Sequence, residues 1–178
     1  MAQVVGVVGP SGVGKDSVME AMAALRKDIK LVRRVITRPA GAGGERSIGA
    51  TDHEFDGLIA QDAFQLWWAA HGLRYGVPRA AVQNPEASIV LVNLSRGVLD
   101  QARSAFDDFT VLSLTAKRET LAARLAARGR ETSAEIVARL ERAGSLRPQG
   151  PDVIEIANDG PLGETVQKAL TALQPVRA

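Results

Sequence analysis

The chain contains no cysteine. Disulfide frameworks and thiolate metal sites are thereby excluded, and a reducing, cytoplasmic location is expected. Aromatic residues are few, with two tryptophans, one tyrosine and four phenylalanines among 178 residues. That is too sparse for the stacking platforms on which single-strand binders hold bases. A formal net charge of +2 is too small for a polyanion-binding surface, so nucleic acid is not an expected partner. No apolar run approaches the ~20 residues of a spanning helix. The first residues carry no basic segment and no long apolar one, so neither a signal peptide nor a membrane partner is expected. There is no internal repeat and no linker. A chain of this length reads as one domain that buries a large core without staples.

What is present is concentrated near the amino end. The apolar run Val4-Val5-Gly6-Val7-Val8 is followed at once by Gly9-Pro10-Ser11-Gly12-Val13-Gly14-Lys15-Asp16-Ser17. A helical pattern then places Val18, Met22 and Leu25 on one face. Strand, glycine-rich loop and helix in this order suit phosphate. Glycines let successive backbone N–H groups turn inward, and the helix directs its positive end at the same point. Gly9 to Ser17 are therefore expected to hold a nucleoside triphosphate, ATP, with Lys15 reaching its β- and γ-phosphates. Asp16 stands where a hydroxyl residue usually meets Mg²⁺. Its carboxylate is a hard oxygen donor, and a metal-linked role is preferred. The alternative makes Asp16 a first-turn acid favoured by the helix dipole, with Ser17 supplying the hydroxyl.

Apolar strand-type runs alternate with helical patterns along the rest of the chain, which predicts an α/β domain with a mainly parallel sheet. Strands are expected at Gln3 to Val8, Leu31 to Ile36, Ala87 to Val92, Phe109 to Leu114 and Val153 to Ala157. Helices are expected from Lys15 to Lys27, through Phe106 with Ser95 or Asn93 as cap, from Lys117 to Arg128, from Thr132 to about Gly144, and from Leu162 to Leu173. Between the second and third strands lie the glycine-rich segment at 40–49, a capping box at Thr51 and Glu54, and a strand pair spanning Phe64 to Gly76. In that pair Trp67 and Trp68 face opposite sides, so at least one of them is core.

Ligands of open parallel sheets sit beyond the carboxyl ends of the strands. The phosphate loop, Thr37-Arg38, the group Asn93-Ser95-Arg96 and the turn Asn158-Asp159 fall at such ends. Arg38 and Arg96 are planar donors suited to phosphate oxygens. Arg124, Arg128, Arg130, Arg139 and Arg142 gather around the break at Gly129, as a lid closing on a transferring phosphoryl group would require. Arg128 and Arg139 are the expected lid residues, and Arg124 and Arg142 are read as a solvated face. The competing reading of that helix pairs Glu135 with Arg139 at i, i+4. Neither His53 nor His71 has metal-ligand spacing. His71, close to Tyr75, is either an acceptor contact or a polar residue of the small lobe.

Together, the loop at 9–17, Arg-Val-Ile-Thr-Arg-Pro-Ala at 34–40, Trp68-Ala69-Ala70-His71-Gly72 with Tyr75-Gly76, Val92-Asn93-x-Ser95-Arg96, and Arg128-Gly129-Arg130-Glu131 resemble the guanylate kinase family over nearly the whole length. Within it, the ribose 1,5-bisphosphate phosphokinase branch of phosphonate catabolism is the nearest likeness. The glutamate with which guanylate kinases read guanine is replaced by Leu66. Their second phosphate-binding arginine and tyrosine have no clear match within 40–52.

The resemblance implies a three-layer P-loop fold with its core at about 1–38, 87–128 and 145–178, an acceptor lobe at about 39–86 and a helical lid at about 128–144. It implies transfer from ATP, with Mg²⁺, to ribose 1,5-bisphosphate, a small-molecule partner. Lys15, Arg128 and Arg139 would be catalytic, and Asn158 would join the nucleotide contacts. Arg38, His71, Tyr75, Asn93, Ser95 and Arg96 would hold the acceptor, and Asp16 or Ser17 the metal. A guanylate kinase with an altered pocket and a catalytically silent protein-binding domain are the alternatives. Nothing in the sequence fixes an oligomeric state.

Overall fold

Alternation along the first strand explains the layering. The structure, a computed structural model, describes residues 2–40, 42, 46–143 and 147–173. In β1 (Gln3–Val8), Val5 and Val7 face one side of the sheet, and Val4 and Val8 the other. Val5 and Val7 pack on α1 (Lys15–Leu25), α5 (Arg118–Arg128) and α7 (Leu162–Ala172) through Val18, Met22, Leu121, Leu125, Val166 and Leu170. Leu140 of α6 (Ser133–Ala143) joins the same cluster. Val4 and Val8 pack on Leu99 and Ala102 of α4 (Leu99–Ala105) and on residues of a second sheet. A strand covered on both faces needs the unbroken apolar run found here.

The central sheet contains β2 (Ile29–Leu31), β7 (Ile89–Asn93), β8 (Phe109–Thr115) and β9 (Val153–Ala157) besides β1, in the order β2-β7-β1-β8-β9. All of its pairings are parallel, as the α/β reading predicts. The strand order reverses at β1, so the crevice of such a sheet opens where β1 ends and the glycine-rich loop begins.

The second sheet is β4-β3-β6-β5, built from β3 (Val35–Ile36), β4 (Ile48–Gly49), β5 (Phe64–Ala70) and β6 (Leu73–Pro78). Here the sequence expectation of one strand from Leu31 to Ile36 is corrected. Val32 N–H still bonds Leu91 O of the central sheet, whereas Arg34 O accepts from Ile48 N–H of the second. The chain changes sheets between these residues. Ile36 lies opposite Tyr75, and Tyr75 opposite Trp68. Trp68 is buried and Trp67 is 44 % exposed, the expected division.

The capping box expected at Thr51 of α2 (Asp52–Ala60) forms, and Thr132 and Glu135 form a second one before α6. The expected cap of the helix after β7 does not. A 3-10 turn (Arg96–Val98) precedes α4, and neither Asn93 nor Ser95 caps it, because both side chains are engaged elsewhere. α3 (Arg79–Val82) closes the small lobe. Residues 41, 43–45 and 144–146, part of the glycine-rich segment and the expected end of the lid helix, lie outside the described residues, as does the side chain of Arg142. Among the described residues no helix is long and apolar enough to cross a membrane.

The β5–β6 pair closes over Phe64, which leaves no room at Gly76: a Cβ there would stand 2.3 Å from the ring. Gly76→Ala should cost about 1–3 kcal/mol by overpacking. In a chain of this size that lowers the melting temperature by about 2–12 °C. An unchanged melting curve would show that the ring moves freely aside.

Candidate active site

The loop after β1 takes its shape from glycine. Gly12 and Gly14 have φ of 85° and 94°, a region that disfavours side chains. A Cβ on Gly14 would lie 2.9 Å from Asn158 Nδ2, and one on Gly9 would lie 2.7 Å from Leu114 O. Gly14 is the N-cap of α1 and supplies no capping side chain. The helix therefore presents its first-turn N–H groups towards the loop, the arrangement that binds anions. Lys15 Nζ donates to Gly9 O at 3.1 Å, so its ammonium spans the loop from end to start.

The loop is fastened from behind. Asn158 is 4 % exposed. Its Nδ2 donates to Val13 O at 2.8 Å, and its Oδ1 accepts from Thr165 Oγ1 at 2.7 Å. Arg124 donates to Val13 O at 3.2 Å and to Asn158 O at 2.8 Å. One sequence expectation changes here. Arg124 is not on a solvated face, because its guanidinium crosses from α5 to the loop. Asn158, expected among the nucleotide contacts, is buried behind the loop with its amide bonded to Val13 and Thr165. The next residue, Asp159, accepts from Lys117 N–H and Thr120 Oγ1, each at 2.8 Å, which holds its carboxyl below the usual range. This ties the β9 turn to the start of α5.

Helix α6 reaches the loop directly. Arg139 donates to Ser11 Oγ at 2.9 Å and pairs with Glu131 at 3.3 Å. Glu135 accepts from Thr132 N–H, the largest cause of its lowered pKa, and the Arg139 charge one turn on lowers it further. Arg128 ends α5 beside Gly129, whose φ is 62°, and is exposed.

Two cavities flank the loop. One, of about 230 Å³, is lined by Gly9, Pro10, Arg96, Arg118, Leu140 and Arg147. Burial lowers the pKa of Arg96. The other, of about 260 Å³, is lined by Asp16, Glu20, Arg33, Arg46 and Asn93 among others. Asn93 Nδ2 donates to Asp16 Oδ1 at 3.2 Å. Arg96 and Asn93, read as one group in the sequence, thus line different cavities. Ser17 is exposed on the first turn of α1.

Tyr75 and Ser95 meet through Trp68. The Trp68 and Tyr75 rings stack with centroids 5.3 Å apart at 10°, and Trp68 Nε1 donates to Ser95 Oγ at 3.1 Å. The Arg34 guanidinium lies 5.0 Å from the Tyr75 centroid and 5.6 Å from that of Trp68. Sequence reasoning did not single out Arg34, which stands four residues before Arg38, one cation at each end of β3. Arg38 follows the strand in a turn where its N–H bonds Ile36 O at 2.7 Å. Gly49 lets the chain pass beneath it, since a Cβ there would meet Arg38 O at 2.7 Å. His71 stands apart from this group. It is exposed at the tip of the β5–β6 hairpin with φ of 53°, followed by Gly72 at 73°, and its placement follows from the turn.

No family model matches the chain. A protein from a Ruegeria species named ribose 1,5-bisphosphate phosphokinase PhnN is 50% identical over 177 residues, covering 98% of this chain and 93% of that protein. Proteins of the same name from Rhizobium etli and Agrobacterium fabrum are 43% and 40% identical, covering 97% and 92% of this chain and 89% and 93% of their own lengths. Among solved structures, a guanylate kinase from Anaplasma phagocytophilum superposes with a TM-score of 0.62 at 17% identity, covering 98% of this chain and 84% of that one. A gluconokinase from Sinorhizobium meliloti gives 0.57 at 22% identity, covering 97% and 91%. At such identities the superpositions establish the fold, that of the P-loop kinases.

Asn158→Ala leaves Val13 O and the Thr165 hydroxyl short of a buried partner, a loss of about 1–3 kcal/mol. The expected result is a lower melting temperature together with ATP binding weakened at least tenfold in calorimetry. A folded variant with ordinary ATP affinity would remove the bracing role.

Proposed function

We propose that this chain, which belongs to the ribose 1,5-bisphosphate phosphokinase family, transfers the γ-phosphoryl group of ATP to ribose 1,5-bisphosphate. The products are ADP and 5-phospho-α-D-ribosyl 1-diphosphate. The observation that carries this reading is the glycine loop spanned by Lys15 and met by the lid arginine Arg139 at Ser11. A cradle of main-chain N–H groups with cations on two sides suits a triphosphate undergoing transfer.

An oxygen of the acceptor's 1-phosphate attacks the γ-phosphorus. A new O–P bond forms while the bond from the γ-phosphorus to the bridging oxygen breaks, and ADP leaves with that electron pair. Phosphate monoesters lose their second proton near pH ~6, so the attacking oxygen is already ionised and needs no general base. The obstacle is charge. Lys15 neutralises the β- and γ-phosphates, Arg139 and Arg128 approach from the lid side, and Arg96 stands beside Gly9 and Pro10. Arg38 and Tyr75 meet the acceptor from the small lobe, and Ser95 meets it from the end of β7.

The residues present fit Mg²⁺. Asp16 offers a hard carboxylate adjoining Lys15, with Asn93 beside it, and Ser17 lies one residue further on. No group of three or more acidic or imidazole ligands exists among the described residues. One or two protein oxygens, completed by phosphates and water, is the mode in which Mg²⁺ is ordinarily held at phosphoryl-transfer sites. The ion would supply charge neutralisation between the β- and γ-phosphates.

Guanylate kinase activity is disfavoured by Leu66, which is buried among Trp68, Val77 and Leu94 and has no polar atom to read guanine. A silent binding domain has no use for a loop and lid in contact.

Lys15→Ala should lower turnover more than tenfold with an unaltered melting curve. Release of ADP, followed in parallel with ribose 1,5-bisphosphate, with GMP and with no acceptor, should respond to the sugar bisphosphate alone. GMP as the sole productive acceptor would refute the assignment.

A further inference from the structure

The acceptor of the proposed reaction carries two phosphates at opposite ends of a pentose. One of them must lie at the transfer site, among Lys15, Arg38 and the lid arginines. The other is displaced by the length of the sugar, and a dianion taken into a crevice needs a cation of its own there. Arg34 meets that need by position and by surroundings.

Arg34 is 5 % exposed and sits at the switch between sheets, one residue before β3, while Arg38 follows two residues after it. Four residues of extended chain span at most about 14 Å. Two arginine side chains rooted at that spacing can meet the two ends of one sugar bisphosphate. The Arg34 guanidinium lies over the Tyr75 ring at 5.0 Å and near Trp68 at 5.6 Å. Stacking occupies the faces of a guanidinium and directs its hydrogen bonds to the edge, the fork that suits phosphate oxygens. Trp68 in turn is held by Ser95 at the end of β7, next to Arg96 and two residues from Asn93. The stack therefore runs from the small lobe to the strand end that borders both cavities.

We propose that Arg34, stacked on Tyr75 and Trp68, is the residue that recognises the second phosphate of the acceptor, the one remote from transfer. It is thereby the residue that distinguishes a sugar bisphosphate from a sugar monophosphate. The inference rests on the kinase reading above and adds to it a specificity determinant. In guanylate kinases selection falls on a base; here Leu66 has removed the polar group and a buried cation provides another kind of selection.

The test uses substrate and residue truncation together. Ribose 1-phosphate lacks the remote phosphate but keeps the attacking one. For wild-type protein, kcat/KM should favour ribose 1,5-bisphosphate over ribose 1-phosphate by at least a hundredfold. In Arg34→Gln that ratio should fall at least tenfold, with the loss expressed mainly in KM for the bisphosphate. Arg34→Lys keeps the charge but loses the flat fork, and its ratio should fall between the two; it also serves if Arg34→Gln does not fold, as judged by its melting curve. A ratio that stays at the wild-type value in either folded variant, because both acceptors decline together or neither does, overturns the inference and leaves Arg34 as a strut between rings. Wild-type protein that does not turn over ribose 1,5-bisphosphate at all would instead defeat the kinase reading.

Discussion

The hydrogen bond from Asn158 to the carbonyl of Val13, 2.8 Å long and buried, is the constraint on which the site depends. A loop that presents N–H groups to an anion must keep its carbonyls turned away, and a carbonyl turned into the protein must find a donor. Val13 O finds two, from Asn158 and Arg124. The donors come from the last strand's turn and from α5, so the loop is complete only when residues 145 positions apart in sequence have met. Thr165 fixes the orientation of the Asn158 amide, and Arg124 also holds its backbone carbonyl. The anion cradle at the amino end is therefore made rigid by the carboxyl-terminal third of the domain.

A second consequence concerns the small lobe. Its sheet is joined to the central one by a chain that leaves β2, bonds once more to β7 through Val32, and then enters β3. The Trp68 indole bridges the same gap a second time, from β5 to Ser95. Around these two crossings the lobe carries its own supports. Thr37 Oγ1 accepts from Arg74 N–H, and Arg74 pairs with Asp52 and Asp56 of α2. Exposed pairs of that kind contribute little energy, but they tie β6 to α2 beside the strand that carries Arg34 and Arg38 at its ends.

Much of this was legible in the sequence, and for a physical reason. The parallel sheet, the glycine loop and the two capping boxes follow from local patterns: apolar runs, glycines where positive φ is needed, and Thr-x-x-Glu before a helix. The division of Trp67 and Trp68 follows from strand alternation alone. What was not legible is where long polar side chains end. Arg124 and Arg128 are one helical turn apart with the same chemistry, yet the first reaches into the loop and the second is exposed. Nothing in the spacing separates them; the difference arises from what α5 packs against. The place of His71 at a hairpin tip, with a left-handed backbone, was likewise not legible from its nearness to Tyr75 in sequence.

The overturned cap after β7 follows the same logic. Asn93 and Ser95 are the residue types that begin helices, and a helix does begin after them. Their side chains instead bond Asp16 and Trp68, and the chain enters α4 through a 3-10 turn that no side chain caps. A helix start without its cap costs about 1 kcal/mol. That sacrifice places two polar groups where the loop and the small lobe converge. A polar residue whose strongest local preference goes unused, at the carboxyl end of a central strand, is thus better evidence for a site than its type alone. Arg34 follows the same rule: local pattern places arginine on exposed surface, and its burial against two rings is the departure that calls for a role.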